Sequence, residues 1–184
     1  MEGIMTKEKK QSKIPSLIDG LDVEVFKRNI SNYIEQTSLL LGKPLKEGLN
    51  FNIDIPNGKR LFKSYCQTYG KLNGAVYIFY LDNYVKFKKN RFFKIGSVGP
   101  NSTARFDSQH YSLNGNGSCL AKSILNDSNL KLKVNKENIS DFIKNNFVRI
   151  NIIFLKSAPK FSNKLVESLL HYRYNPIFEG TKSQ

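Results

Sequence analysis

The chain has 184 residues, enough for one domain of ordinary size, and its 40% hydrophobic and 12% aromatic content can fill a sizeable core. That excludes the low-complexity and intrinsically disordered classes for most of its length. With 29 Lys and Arg against 15 Asp and Glu, the formal net charge of +14 points to an anionic partner.

The charge excess belongs to the last two thirds, at net +3 over residues 1–70, +6 over 71–125 and +5 over 126–184. Residues 1–13 alternate Lys and Glu with almost nothing to bury and read as a mobile basic tail. From Asp22, an N-cap candidate, Val25, Phe26, Ile30, Tyr33, Ile34 and Leu39–Leu41 recur at helical spacing as far as Gly42. Phe51, Ile53 and Ile55 alternate with Asn52 and Asp54, and Pro56-Asn57-Gly58 follows as a turn. This predicts a strand entering a hairpin, with its partner around Leu61–Tyr69. Residues 14–70 are thus expected to form an N-terminal α/β extension, a helix plus a short hairpin.

After Gly70 the pattern changes. Gly74–Leu81 is nearly all apolar and rich in β-formers, which predicts a buried strand, and Phe92–Val98 reads as its partner. Between them Lys86, Lys88, Lys89 and Arg91 form a strongly positive loop, a candidate contact for nucleic-acid phosphates. Helices are expected from Asn101 or Ser102 to about Tyr111, from Ser118 to about Asn126, and from Asn135 through Ile139, Phe142 and Ile143. Phe147–Leu155 reads as a strand, and Ser162 opens a last helix that runs to about Tyr174 before Pro176. The expected class is α+β, a small mixed or antiparallel sheet flanked by helices in the order β-β-α-α-α-β-α over residues 71–184. No apolar run reaches the ~18–20 residues of a membrane span, and the charged start has no apolar segment after it, so a cytoplasmic protein is expected. Cys66 and Cys119 lie far apart, outside any Cys/His metal spacing, and read as reduced thiols.

Residues 74–179 resemble the GIY-YIG nuclease family in four ordered pieces. Gly74-Ala75-Val76-Tyr77 stands in place of the family's Gly-Ile-Tyr, and Phe93-Lys94-Ile95-Gly96 in place of Tyr-Ile-Gly. Ala104–Tyr111 supplies the Arg-centred helix through Arg105, and Lys164–Leu170 supplies the metal-binding glutamate through Glu167. Asn175-Pro176-Ile177-Phe178 resembles the segment after that helix. Lys94 replaces the second tyrosine, as in some restriction-enzyme members. Gln109 takes the place four residues after Arg105 where a His or Tyr is usual, with His110 one further on, and Glu179 stands where Asn is common. On an ideal helix Gln109 faces with Arg105, and His110 is turned away by ~100° more.

What the resemblance implies is metal-dependent hydrolysis of DNA. Glu167 would bind Mg2+, or Mn2+ in its place, and Arg105 would neutralise the phosphate. Tyr77 would orient or deprotonate water, and Lys94 would lower its phenol pKa or touch the phosphate. Gln109 or His110 would complete the site. Taken singly, Tyr77 on an apolar strand reads as a core tyrosine, and Glu167 and Arg105 as solvated side chains. The compact length resembles a restriction endonuclease of this family, acting as a homodimer on both strands of its target. A homing, repair or mobile-element nuclease, a non-catalytic nucleic-acid-binding module and a basic structural protein are the alternatives.

Overall fold

A computed structural model describes residues 23–40, 49–56, 61–81, 92–114, 119–130 and 132–178. The expected tail over 1–13, the basic loop Lys86, Lys88, Lys89 and Arg91, and Glu179 lie outside the described residues. The chain runs α1 (Val23–Leu40), β1 (Phe51–Asp54), α2 (Phe62–Tyr69), β2 (Leu72–Leu81), β3 (Phe92–Val98), α3 (Thr103–Asp107), α4 (Leu120–Asn126), a 3-10 turn (Ser128–Leu130), α5 (Ile139–Asn146), β4 (Phe147–Leu155) and α6 (Ser162–Tyr174). The fold is α+β, with a four-stranded sheet in the order β1-β4-β2-β3 whose neighbours are all antiparallel.

Strands β2 and β4 are nearly continuous apolar runs because they occupy the sheet's centre, covered on both faces. Alternation sorts their side chains. Ala75, Tyr77, Phe79 and Leu81 join a core with α2, α4 and α5, around Phe62, Tyr65, Leu120, Ile124, Ile139 and Ile143. Val76, Ile78, Ile150, Ile152 and Phe154 face the other way. There they meet Phe26, Ile30 and Ile34 of α1 and Val166 and Leu170 of α6. Phe26, Ile30 and Ile34 of the α1 stripe are thus used on the chain's own sheet, while Leu39 is exposed. Among the described residues, no helix is long and apolar enough to cross a membrane.

Two expectations are corrected. First, Phe51–Asp54 does not turn back on residues 61–69. It pairs with β4, Phe51 opposite Phe154 and Asp54 opposite Asn151, and residues 62–69 form α2. Phe62 and Tyr65, the buried pair, are three apart, which is a helical period, and Gly70 at φ 76° closes the helix through its N–H to Cys66 O. Second, α3 ends at Asp107 rather than near Tyr111. The Asp107 carboxylate accepts the Phe62 N–H at 2.7 Å, and Ser108 and Gln109 both donate their N–H to Ala104 O, so the chain leaves the helix there.

Strand β3 is a sheet edge, and its outward groups are covered. Ile177 and Phe178 donate N–H to Phe92 O and Phe93 O, while on α6 Asn163 Nδ2 donates to Val98 O at 2.9 Å and His171 Nε2 lies 3.1 Å from Ile95 O. Gly74, at φ 143°, leaves room for this seam, since a Cβ there would stand 2.5 Å from Val98 O and 3.0 Å from Asn163 Nδ2.

Candidate functional site

Antiparallel register lines up two transverse rows of residues on the α2–α5 face of the sheet. One is Gly96, Tyr77, Asn151 and Asp54, crossing all four strands; the next is Lys94, Phe79 and Arg149. Opposed residues on neighbouring strands project to the same face, so six side chains and one glycine share a surface of the sheet. The Tyr77 ring lies over Gly96, where any Cβ would overlap its hydroxyl. A glycine at 96 is therefore what lets the phenol reach toward the β3 edge.

Tyr77 is fully buried, and among the described residues its Oη has no partner at hydrogen-bond distance. Burial pushes the phenol above its ordinary 10.0, opposed mainly by the Arg105 guanidinium and less by Arg149, with the Glu167 carboxylate adding to the rise. The expectation that Lys94 lowers this phenol is not met: Arg105 on α3 is the leading cation acting on it. Lys94 is itself 1% exposed, and burial, helped by Arg105, lowers its pKa from 10.5 to about 8, with Cys119 and Glu167 acting the other way.

The early end of α3 places Gln109 and His110 differently. The turn over residues 108–111 leaves Gln109 half-buried and carries His110 inward, where its ring lies 4.4 Å from the Tyr77 centroid and 5.2 Å from that of Phe79. Among the described residues, neither ring nitrogen of His110 has a partner. Burial, then the charges of Lys94, Arg149 and Arg105, hold it well below 6.5, so the imidazole is neutral at neutral pH.

Glu167 comes from the other face of the sheet. With Asn163 and His171 it forms one i, i+4, i+8 row of α6 along the β3 edge, and its Oε2 accepts from Ser97 Oγ at 2.6 Å and Lys164 Nζ at 3.0 Å. Its side chain is 18% exposed. Arg105 is exposed, so the two form the solvent-facing members of the cluster, with Tyr77 and Lys94 behind them. Tyr77, Lys94, Arg105, His110 and Glu167 are therefore neighbours; among the described residues, no side-chain hydrogen bond joins Gln109 to them.

Arg149 was not anticipated. Its guanidinium sits 4.2 Å over the Phe106 ring, Nε donates to Asn151 Oδ1 at 2.9 Å, and buried Nη2 has no partner among the described residues. A relay continues from there: Asn151 Nδ2 donates to Tyr65 Oη at 2.9 Å, and Tyr65 Oη donates to Asp54 Oδ2 at 2.6 Å. The signal for it was present in the sequence. Arg149 and Asn151 interrupt the apolar run of β4 at a spacing of two, as Lys94 interrupts β3, and a two-residue spacing puts both on one strand face.

Among the described residues, no three of His, Cys, Asp and Glu converge as a metal-binding group, and Glu167 is the carboxylate of this cluster. No protein-family model, curated protein or solved structure matches the chain.

Proposed function

We propose that the chain is a metal-dependent DNA endonuclease, a restriction-type site-specific enzyme of the GIY-YIG kind. One observation carries the reading. The Arg105 guanidinium of α3 and the Glu167 carboxylate of α6 each act electrostatically on both the Tyr77 phenol of β2 and the Lys94 ammonium of β3, though four separate elements supply them. Hydrolysis of a phosphodiester needs such a set: a positioned water, neutralised phosphate charge and a route for the proton. A module that only bound phosphate would gain nothing from a carboxylate at the anion.

Among the described residues, both hydrogen bonds of the Glu167 carboxylate fall on Oε2, which leaves Oε1 to a hard divalent ion. A single carboxylate fits Mg2+ or Mn2+, because such ions keep several of their waters. Bound there, the ion would supply Lewis-acid polarisation of the phosphoryl group. Arg105, on the open side, pairs with the non-bridging oxygens of the scissile phosphate. The hydroxyl of Tyr77, protonated at neutral pH because its pKa is raised, orients the attacking water rather than deprotonating it. Lys94, at about 8, has a neutral form within reach and accepts the water's proton as the new P–O bond forms and the bond to the leaving oxygen breaks. His110 packs the phenol from behind. The basic loop Lys86–Arg91 tracks the DNA backbone, and a homodimer places one site on each strand.

Incubation of the purified protein with supercoiled plasmid and Mg2+ or Mn2+ tests the reading. Discrete linear products that EDTA suppresses are expected. Plasmid that is bound but uncut with either ion would overturn the enzyme reading in favour of a binding module.

A further inference from the structure

We propose that the outward face of α6, between Phe161 and Tyr172, is a stacking track for an unpaired nucleic-acid strand that passes Glu167. The inference rests on the nuclease reading above. It adds which surface takes the strand and in what form.

Phe161 is 64% exposed and Tyr172 88% exposed, and Tyr172 is the most exposed of the large hydrophobic side chains described. Phe161 is the residue just ahead of α6 and Tyr172 lies eleven residues on, which at ~100° and ~1.5 Å per residue places their Cα positions within ~20° of one side of the helix and ~16 Å apart along it. Exposed Ser168 lies between them on the same line, small enough to leave both rings clear. At its N-terminal end Phe161 holds φ 68°, a conformation unusual for an aromatic residue, and Lys160 Nζ sits 5.0 Å from its ring centroid.

The neighbourhood suits a polyanion. Residues 156–174 carry Lys156, Lys160, Lys164 and Arg173 against Glu167 alone. Lys164 stands between the aromatic line and Glu167, to which it is bonded at 3.0 Å. A strand with bases on Phe161 and Tyr172 and phosphates by Lys160 and Lys164 therefore runs beside the carboxylate proposed to hold the metal. Exposed rings spaced along a basic surface are how proteins hold unpaired bases, since every base has a face to stack and a duplex interior does not offer it.

The chain has no tryptophan, so Phe161→Trp and Tyr172→Trp each introduce a single reporter. With EDTA present to prevent cutting, a short single-stranded oligothymidylate should quench both reporters strongly, and a blunt duplex of equal length should quench them much less. Phe161→Ala and Tyr172→Ala should each weaken single-strand binding, read by anisotropy of a labelled oligonucleotide, by about tenfold. Binding with no quenching and no loss in the alanine variants would overturn the track while leaving nucleic-acid binding in place. Equal quenching by duplex would overturn its assignment to unpaired bases. Binding of the duplex but not of the single strand would overturn the track alone, whereas failure of both oligonucleotides to bind would remove the nuclease reading and this proposal together.

Discussion

An ammonium group that is 1% exposed works against folding, and Lys94 of β3 is such a group. Its folded pKa of about 8 lies below the ordinary 10.5, so between those values the unfolded chain binds more protons and stability rises with pH. The cost is fully present below pH about 8 and gone above about 10.5. Lys94→Met, which keeps the length and removes the charge, should therefore raise the melting temperature at neutral pH by the equivalent of about 1–3 kcal/mol. Thermal melts across the alkaline range check this, because the gain should shrink steadily between those two pKa values; a constant gain would mean that Lys94 carries no burial cost. In the proposed reaction the same residue sets the pH dependence: the rate should climb with pH toward a plateau above about 8 and lose that limb in the Met variant. At position 96 the constraint is steric. Gly96→Ala should push the Tyr77 ring off its place over β3, at a cost of about 1–3 kcal/mol measured by denaturant unfolding.

Elements whose signal is local were the legible ones. Strands β3 and β4 and helix α6 lie where apolar runs, Ser162 and Pro176 place them, because their own residues carry both period and stop. The pairing of β1 was not legible, since its partner β4 lies about a hundred residues away and strand pairing leaves no mark at that distance. Nor was the end of α3, which depends on the Asp107–Phe62 bond to another element. That bond, not helical phase, brings His110 rather than Gln109 against Tyr77. The relay from Asp54 through Tyr65 and Asn151 to Arg149 ties β1 and α2 to the face that carries the candidate site. Tyr65→Phe would strip Asn151 Nδ2 of its acceptor in a buried setting and should cost about 1–3 kcal/mol in chemical denaturation. On the opposite face, Ile30 of α1 is fully buried. Ile30→Ala should lose about 2–5 kcal/mol, and an unchanged unfolding midpoint would show that α1 is not part of the folded unit.

Across the whole molecule, the sheet acts as a frame with chemistry on both faces that meets at one edge. Tyr77, Lys94 and His110 approach β3 from the α2–α5 side, Glu167 from the α6 side, and Gly96 leaves the edge thin enough for the two sets to interact. The net charge of +14 does not specify the reaction, since a basic protein draws any phosphate backbone. What distinguishes a nuclease from a binder is the single carboxylate among the cations. The most direct test is therefore a comparison of Glu167→Gln with the wild-type protein, measuring plasmid cleavage in Mg2+ and duplex binding in EDTA. The account predicts that cleavage falls by at least about a hundredfold, the scale of losing a principal electrostatic contributor, while binding stays within a few-fold of wild type. A Glu167→Gln protein that cuts as fast as wild type would contradict it.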